Sequence, residues 1–464
     1  MSSKIAVILA AGDGRRMKSN KPKVLCEVLF KPMLGWVISA CEQAGVTDIC
    51  VVKGFGADEV DKYLGGKYQS VLQQERLGTG HAVLTASDFL KSCPDLDVLV
   101  LCGDAPLIDA QTIEQAYAQH SAQKNAVTVI SAEVENPCNY GRIMRRDGAV
   151  CAIIEHKDAT PDQLVIREIN SGAYWFNSKA LLEALDSLKN ANSQGEYYLT
   201  DTLGILLEKG YKAGAYVSEN ANIALGANSR KDLLLLNKIA RDIVLDRLMN
   251  DGVEVVSDDG VIISPDAKIG SDTQILPGTI IRGKTVIGQN CKIGPNSLID
   301  KSFIGDDTVI NASQILSSTV KSHVKIGPFS QLRPDCVLGD YVKIGDFVEL
   351  KNSTLGEKTS VSHLTYIGDS DVGSNVNFGC GVVTVNYSGD VKGRTTIGND
   401  SFIGCNTNLV APVNIGNRAY TAAGSTITKD VPDGSLAIAR NRQENKEGYA
   451  ESRLGRHLKG SVKK

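Results

Sequence analysis

The stretch TVIGQNCKIGPNSLID, residues 285–300, contains the pattern that decides the fold of the second half of the chain. A branched apolar residue followed by Gly recurs six positions later, as Ile287-Gly288 and then Ile293-Gly294, with mostly polar or small residues between them. The same pattern runs through residues 262–430. A six-residue period is typical of short strands joined by tight corners, where the apolar residue points inward and Gly permits a bend with positive φ. We therefore predict a parallel β-helix, in which each rung buries the apolar faces of its neighbours.

The register of this pattern slips between Ile293 and Ile304 and again between Ile344 and Leu355. The pattern resembles the hexapeptide repeats of acyl- and acetyltransferases, which implies a left-handed β-helix that usually trimerises. That hand opposes the right-handed rule for parallel crossovers, so it follows from the resemblance and not from the period. The period alone leaves open a purely structural spine.

Bulk composition excludes several classes of protein. At 464 residues the chain is too long for one ordinary domain, and its formal net charge of -3 gives no indication of a nucleic-acid or membrane surface. Its 11 Cys are scattered, with no Cys-x-x-Cys pair, which predicts reduced thiols in a cytoplasmic protein. No apolar run approaches the roughly 20 residues that span a bilayer. The apolar run at residues 5–11 is short and precedes Gly-Asp-Gly-Arg-Arg, so we expect a buried strand and not a signal peptide.

The chain divides into three predicted segments. In residues 1–227 apolar strand-like runs alternate with helix-like segments, which predicts an α/β domain with a mostly parallel sheet and a ligand beyond the carboxyl ends of its strands. Residues 228–250 carry apolar side chains at helical spacing and are predicted to form a connecting helix. Residues 251–464 remain for the hexapeptide domain and its charged tail.

The first predicted strand runs into LAAGDGRRM, residues 9–17. Gly12 and Gly14 allow the backbone to approach a phosphate chain, while Arg16 and Lys23 can neutralise its charge. A Rossmann dinucleotide site is the alternative, but the spacing is not Gly-x-Gly-x-x-Gly. LAAGDGRRM followed by Pro-Lys strongly resembles the nucleoside-triphosphate sugar nucleotidyltransferases. The resemblance implies catalytic roles for Arg16 and Lys23, a Rossmann-like domain and nucleotide contacts from Leu9, Ala10, Ala11, Gly12 and Lys23.

Gln73 and the segment Leu77-Gly78-Thr79-Gly80-His81 follow. A Gln side chain offers a donor and an acceptor suited to the edge of a base, although a lone Gln is equally an ordinary surface residue. In the resembled family the matching residues read uracil, which implies that role for Gln73, Gly78 and Thr79.

A buried strand ends in Cys102-Gly103-Asp104. An Asp at this point can hold Mg²⁺ by carboxylate oxygens or can cap the next helix. The segment resembles the family's Tyr-Gly-Asp, with Cys102 in place of Tyr, and this implies nucleotide contacts from the segment and a metal ligand in Asp104. The resemblance makes Asn228 the second Mg²⁺ ligand, although Asn228 can also act as an N-cap. By the same resemblance Gly141, Glu155 and Asn170 line the pocket for the amino sugar.

The β-helix carries polar side chains that a spine does not require. Arg333, Lys351 and Lys392 are cations suited to a sugar phosphate. His363 can act as a general base or be structural, and we expect Glu349, near in sequence, to raise its basicity. Residues 386–390 depart from the repeat and are predicted to form a loop that projects from the rungs.

Nearly the whole chain resembles, in the same domain order, the bifunctional bacterial enzymes that make UDP-N-acetylglucosamine. The resemblance makes His363 the catalytic base. It implies an amino-sugar phosphate site of Arg333, Lys351, Tyr366, Asn377 and Lys392. It implies an acetyl-CoA site of Cys380, Asn386, Tyr387, Cys405, Ala423 and Arg440. Cys380 and Cys405 stand where that family commonly has small residues.

These resemblances predict an enzyme that works in two steps. Glucosamine-1-phosphate is acetylated from acetyl-CoA, and N-acetylglucosamine-1-phosphate then reacts with UTP, with Mg²⁺, to release pyrophosphate. The product would supply peptidoglycan and lipopolysaccharide precursors. We expect a cytoplasmic homotrimer that binds small molecules, not nucleic acid, and has no membrane insertion. One alternative is a single-activity nucleotidyltransferase with a regulatory β-helix, and another is a non-catalytic trimeric scaffold.

Overall fold

The computed structural model describes residues 4–460 and divides the chain into two compact units, Met1–Asp246 and Arg247–Lys464. The long helix Arg230–Asn250 crosses the boundary between them. It occupies nearly the span predicted for the connecting helix. Within residues 4–460, no helix combines the length and the apolar character that crossing a membrane requires.

A nine-stranded sheet forms the core of the first unit. Its main path, from one edge to the other, is Ala213–Ser218, Val127–Glu133, Glu168–Asn177, Asp97–Cys102, Lys4–Ala10, Val46–Lys53 and Gln69–Leu72. The hairpin of Arg142–Arg146 and Ala149–Ile154 joins at Glu168–Asn177, and Glu27–Val28 pairs separately with Lys31–Pro32. The central strands are buried on both faces, since Ile5 to Ile8 and Val98 to Val100 are all inaccessible to solvent. This agrees with the apolar runs from which the sheet was predicted.

The expectation of a mostly parallel sheet needs one correction. Glu168–Asn177 lies in the middle of the sheet and runs antiparallel to both Asp97–Cys102 and Val127–Glu133. An apolar run predicts that a strand is buried, but it carries no information about the direction in which that strand pairs.

Helices cover the two faces of this sheet. The α-helices of the first unit are Met33–Gln43, Ala57–Leu64, Thr79–Thr85, Ser87–Lys91, Ala110–Gln123, Pro161–Leu164, Ser178–Leu185 and Asp201–Glu208. Short 3₁₀ turns occupy Arg15–Met17, Lys23–Leu25 and Ala221–Ala224. Thr79–Thr85 and Ser87–Lys91 are two separate helices, because the chain leaves the helical conformation at Ala86.

The second unit contains two sheets built almost entirely of very short parallel strands. One has 11 strands: Glu254–Val255, Gln274–Ile275, Lys292–Ile293, Val309–Ile310, Lys325–Ile326, Lys343–Asp346, Ser360–His363, Asn377–Phe378, Phe402–Ile403, Tyr420–Thr421 and Leu436–Ala437. The other has 17: Ile262–Ile263, Lys268–Ile269, Ile280–Arg282, Val286–Ile287, Leu298–Asp300, Phe303–Ile304, Gln314–Leu316, Thr319–Val320, Gln331–Leu332, Val337–Leu338, Glu349–Leu355, Tyr366–Val372, Val383–Val385, Thr395–Ile397, Asn408–Val410, Val413–Ile415 and Thr426–Ile427. The helix Tyr449–Gly460 follows in the tail.

Pairing between these strands builds the predicted parallel β-helix. In the first coils each strand pairs with the strand three places later, as Ile262 with Ile280 and Ile280 with Leu298, so one coil has three sides. The apolar residues of the repeat point into the coil: Ile287, Ile293, Leu338, Ile344 and Ile403 are all at most 2% exposed. A full coil takes 18 residues, and the slips in the sequence pattern mark coils that are one or two residues shorter.

The role predicted for the repeat glycines is mostly wrong. Gly294 and Gly327 have positive φ, but Gly288, Gly339 and Gly356 do not. A Cβ on Gly339 would lie 2.8 Å from the backbone N of Glu357 on the next coil, and similar clashes occur along the stack. These glycines are therefore required for close approach between coils. The left-handed corners fall instead on residues such as Asn290, Asp307 and Tyr341.

Candidate functional site

A cleft of about 740 Å³ opens in the first unit, where the strands Lys4–Ala10 and Asp97–Cys102 end. The predicted site residues in its wall are Leu9, Arg16, Thr79, Cys102, Asp104, Gly141, Glu155, Asn170 and Asn228. A second cavity of about 390 Å³ is lined by Gly12, Asp13, Gly14, Arg16, Lys23 and Asn228. Arg16 and Asn228 belong to both walls. Outside them lie the predicted residues Ala10, Ala11, Gln73, Gly78 and Gly103.

The side chain of Lys23 brings the two predicted metal ligands together. Its Nζ donates to Oδ1 of Asn228 at 2.8 Å and forms an ion pair with Oδ2 of Asp104. Asn228 is far away in sequence, so this convergence depends on the fold. The ammonium group shows that one carboxylate and one amide oxygen are aimed at a common cation position.

Helix capping does not account for either of these oxygens. Asp109 caps the helix that follows Asp104, because its carboxylate accepts from the backbone N of Thr112. Ser229 caps the helix after Asn228, since its Oγ accepts from the backbone N of Asp232 at 3.2 Å. The capping alternatives are thus excluded, and the side chains of Asp104 and Asn228 remain directed at Lys23.

Gly14 is required by the geometry of the loop. It has a φ of +58°, and a Cβ at this position would lie 2.8 Å from Cβ of Lys23. The close approach of the loop backbone to Lys23 therefore depends on the missing side chain.

Glu155 and Asn170 line the larger cleft and not the second cavity at this loop. Burial raises the pKa of the Glu155 carboxyl, whose Oε1 accepts a hydrogen bond from Thr200 at 3.3 Å. Asn170 donates to the hydroxyl of Tyr174 at 2.6 Å and accepts from the backbone N of Gly172. Both side chains are thereby held in defined orientations, as directed hydrogen bonding to a sugar requires.

Cys102 lies near enough to Asp104, Lys23 and Glu155 for their charges to act on its thiol. Its thiol points to the carbonyl oxygen of Gly172 at 3.7 Å, and burial raises its pKa to about 12. The thiol is therefore protonated at neutral pH and adds no negative charge beside Asp104.

In the second unit, one corner of the β-helix stacks several predicted residues in a column. The backbone N of Gly381 donates to the carbonyl of His363, that of Asn406 to Cys380, and that of Gly424 to Cys405. These three donors come directly after Cys380, Cys405 and Ala423 in the sequence, so each of those residues lies one coil beyond the acceptor. The column therefore runs in the order His363, Cys380, Cys405, Ala423. The side chain of Arg440 lies beside Gly424 at the end of this column. Four predicted acetyl-CoA residues thus lie in line with the predicted base.

The partner of His363 is not the one predicted from the sequence. Its Nδ1 lies 2.7 Å from Oδ1 of Asp346, which occupies the same corner one coil earlier. Glu349, the expected partner, instead pairs with Arg333 at 2.9 Å. The hydrogen bond to His363 lowers the pKa of Asp346. An ionised Asp346 accepts a hydrogen bond from Nδ1–H, so Nε2 of the neutral His363 ring carries the free lone pair.

Lys351 and Lys392 lie close to Asp369, and these two lysines form a cation group. Lys351 Nζ lies 3.9 Å from Oδ2 of Asp369, and the adjacent ammonium group of Lys392 lowers the pKa of Lys351. Burial raises the pKa of Asp369, but hydrogen bonds from Asn352 and Asn386 and the charges of the two lysines lower it overall. The two ammonium groups carry more positive charge than the one carboxylate beside them can balance. An added anion would therefore bind favourably at this site.

The predicted loop carries Asn386 and Tyr387 and closes on itself. Tyr387 forms an isolated bridge with Lys392, and the backbone N of Gly393 donates to Asn386 at 2.9 Å. Tyr387 is 56% exposed, whereas Asn386 is buried against Asp369. This insertion lengthens its coil to 25 residues without breaking the ladder on either side.

Asn377 is the predicted residue that the chain does not bring to the cation group. It lies exposed on the 11-stranded sheet, whereas Lys351 and Tyr366 lie on the 17-stranded sheet. The hydroxyl of Tyr366 lies beside Gly368, close to the amide of Asn386.

Comparison with known families agrees with the division of the chain into two units. Residues 5–224 match a family model described as Nucleotidyl transferase. Residues 249–350 match one described as the EIF2B subunit epsilon LbH domain, and residues 394–429 match Bacterial transferase hexapeptide (six repeats). The predicted fold class, a Rossmann-like nucleotidyltransferase domain followed by a hexapeptide β-helix, is confirmed.

Three relatives match almost from end to end, and each is described as "Bifunctional protein GlmU". Those from Acetivibrio thermocellus and Clostridium acetobutylicum are 49% identical over 97% of this chain, covering 97% and 99% of their own lengths. The one from Halalkalibacterium halodurans is 46% identical over 97% of this chain and 99% of its own. The chain belongs to the GlmU family.

Membership of the GlmU family bears on the alternatives that the sequence left open. The matched relatives are bifunctional by name and span both units of this chain. The prediction of a bifunctional transferase is therefore confirmed, and it is favoured over a nucleotidyltransferase with a regulatory β-helix.

Sequence reasoning missed three residues in this member of the GlmU family. Asp346 lies below His363, Asp369 holds Asn386, and Tyr174 holds Asn170. Asp346 and Asp369 each follow an apolar-Gly pair of the repeat, a position where a carboxylate borders the corner. The sequence contains that signal, but it does not show which residues of neighbouring coils lie next to each other, and this register is needed to interpret the signal.

Proposed function

We propose that the second unit acetylates glucosamine-1-phosphate from acetyl-CoA, and that the first unit joins the product to UTP and releases pyrophosphate. The resulting UDP-N-acetylglucosamine would supply peptidoglycan and lipopolysaccharide precursors. The observation that supports this most directly is the corner column, in which a His–Asp pair heads a line of three small side chains. A passive spine has no need for a base at the end of such a line.

In acetyl transfer, His363 acts as the general base. Nδ1–H of His363 donates a hydrogen bond to Asp346, which leaves Nε2 unprotonated. Nε2 then takes a proton from the amine of glucosamine-1-phosphate. The lone pair of the neutral amine attacks the thioester carbonyl carbon as this proton leaves the nitrogen, so the C–N bond forms, the C–S bond breaks, and CoA leaves as the thiolate, which the protonated imidazole can reprotonate. Developing positive charge on the imidazole is stabilised by the carboxylate of Asp346.

The cation group beside this corner would bind the sugar phosphate. The charge of Lys392 repels that of Lys351 and lowers the pKa of Lys351, and Arg333 contributes a third cation nearby. A phosphate dianion between them relieves that repulsion, which gives the site a preference for phosphorylated over free amino sugar. Asn377, on another sheet, would then require a second copy of the chain to reach the same ligand.

In uridylyl transfer, an oxygen of the sugar phosphate attacks the α-phosphorus of UTP and pyrophosphate leaves. Arg16 and Lys23 border the glycine-rich loop and neutralise charge on the triphosphate. Gln73, Gly78 and Thr79 bind the uracil end, while Gly141, Glu155 and Asn170 bind the amino sugar.

Asp104 and Asn228 fit a magnesium ion at this site. They present one carboxylate and one amide oxygen to a single cation position. In the described part of the chain, no group of three or more His, Cys, Asp or Glu could hold a metal. Such sparse ligation suits Mg²⁺, which keeps several waters and binds substrate phosphates. When bound, Mg²⁺ would neutralise negative charge on the phosphate chain.

We also propose that the protein is a cytoplasmic homotrimer. Phe329, Phe347 and Leu364 lie at successive levels of the corner next to His363 and are 61%, 56% and 59% exposed. The two phenyl rings stack with centroids 5.6 Å apart. Burial of such an exposed apolar ridge against a second copy of the chain would be energetically favourable. The second copy would also enclose an acetyl-transfer site that is otherwise open to solvent.

Two assays test this function. Release of CoA thiol should require both acetyl-CoA and glucosamine-1-phosphate, and release of pyrophosphate should require UTP, Mg²⁺ and N-acetylglucosamine-1-phosphate. A chain with only pyrophosphate release would be a single-activity nucleotidyltransferase. A chain with neither activity would be a scaffold.

A further inference from the structure

The segment from Gln73 to His81 contains a polar contact to which the reaction assigns no role. Gln73 follows the strand Gln69–Leu72 and is only 4% exposed. Its Nε2 lies 3.3 Å from the carbonyl oxygen of Gly78 and 2.9 Å from Nδ1 of His81. Among the described residues, its Oε1 has no hydrogen-bond partner.

The acceptor at Gly78 favours one of the two orientations of this amide. The carbonyl oxygen of Gly78 is an acceptor, and it also accepts from the backbone N of Ala82 at 3.1 Å. A flipped amide would place Oε1 of Gln73 against that oxygen, so two acceptors would face each other. With Nε2 in place, Nδ1 of His81 must accept, and the ring carries its proton on Nε2.

We infer that His81 is a positioning residue that holds the amide of Gln73 with its acceptor outward and thereby selects a uracil-type base. This inference rests on the proposed contact between Gln73 and the base of UTP. Uracil presents an N3–H donor to an outward Oε1. Cytosine presents an unprotonated N3, an acceptor, at the same place.

Two anchors are needed for this selection. Gly78 alone supplies one acceptor for an amide that has two N–H groups, at the long distance of 3.3 Å. Without His81 the amide can rotate and offer Nε2 to the base, so both bases would find a partner. A polar site discriminates strongly only when its groups cannot rearrange to suit the wrong ligand.

The loop itself does not depend on His81. The backbone N of Gly80 donates to the carbonyl of Tyr197 at 2.8 Å, and the backbone N of Tyr197 donates to Leu77 at 2.8 Å. The His81 ring contacts Tyr197 only loosely, with ring centroids 6.4 Å apart. Replacing the imidazole should therefore leave the loop in position and change only the freedom of Gln73.

His81→Leu and His81→Asn form a matched pair for the test, because the two side chains have nearly the same shape but Asn keeps an acceptor near the place of Nδ1. Pyrophosphate release is measured with UTP and with CTP, and acetyl transfer and the thermal midpoint are measured alongside. We expect His81→Leu to lower the UTP-to-CTP ratio of kcat/KM by at least about tenfold. This loss should appear mainly as a higher KM for UTP, and kcat should stay within about threefold. His81→Asn should stay within about threefold of the wild-type ratio.

Gln73→Ala separates the inference from the function on which it rests. If Gln73→Ala lowers the ratio and His81→Leu does not, the positioning role of His81 is overturned while the base contact stands. If Gln73→Ala leaves the ratio unchanged, the base contact fails, and the inference fails with it. Equal losses with UTP and CTP in His81→Leu, together with a lower thermal midpoint, would mean a structural role and would also overturn it.

Discussion

Replacement of His363 by Ala tests the acetyl-transfer mechanism most directly. Loss of a general base typically costs about 10²–10⁴-fold in rate, so kcat for acetyl transfer should fall by at least about two decades. The KM for glucosamine-1-phosphate should change little, because His363 is assigned to the proton and not to the phosphate. Uridylyl transfer, in the other unit, should be unaffected.

The structure also predicts that stability will not change. The side chain of His363 is 58% exposed, and its Nδ1 forms a hydrogen bond with Asp346, which is itself 39% exposed. Exposed pairs of this kind contribute little to folding, so the thermal midpoint should shift by less than about 2 °C. A rate loss without a change in stability distinguishes a base from a structural His.

His323→Ala is a matched control for this experiment. His323 also lies at a corner of the β-helix, is 43% exposed on its side chain and lies 3.7 Å from Asp307. Its removal should leave acetyl transfer unchanged. Asp346→Asn should lower kcat by less than His363→Ala does, because Asn can accept the hydrogen bond from Nδ1–H but lacks the charge that stabilises the protonated ring.

The assay is release of CoA thiol at saturating acetyl-CoA, with circular dichroism for the midpoint. If His363→Ala retained most of its kcat while its midpoint fell, the base assignment would be wrong and His363 would be structural. A loss of equal size in His323→Ala would show that the assay reports general damage to the β-helix.

Three further predictions concern the first unit and the assembly. Asp104→Ala should abolish Mg²⁺-dependent pyrophosphate release and spare thiol release, and near-normal pyrophosphate release from the folded variant would refute the metal assignment. Glu155→Gln should raise the thermal midpoint of the first unit at pH 8, because burial raises the pKa of Glu155 and the folded chain therefore disfavours its ionised form. This gain should shrink as the pH falls through that raised pKa towards the ordinary carboxyl range, where wild-type Glu155 is protonated in both states, and a gain that is constant with pH would contradict the assignment. Sedimentation should give a homotrimer, and a fully active monomer would exclude the proposed enclosure of the acetyl-transfer site.

Sequence and structure agree where the signal is local. The β-helix was predictable because its apolar side chains must be buried and its short strands are joined by corners. The six-residue period of the structure therefore appears directly in the spacing of apolar residues along the sequence. The bend at Gly14 was predictable for a similar reason, since its positive φ of +58° is a conformation that Gly adopts readily, whereas the contact of this loop with a phosphate chain stays a prediction. The direction of Glu168–Asn177 was not predictable, because pairing with strands far away in sequence decides it.

The sequence by itself determined the two kinds of domain, their order and the residue types available for chemistry. Only the tertiary structure decided which of those residues meet. Glu349 seemed the natural partner of His363, but the register of the coils places Asp346, 17 residues away, directly below it. Lys23 meets Asn228 across 205 residues for the same reason. Burial patterns are local and can be read along the chain, whereas side-chain partners depend on how distant segments are packed together.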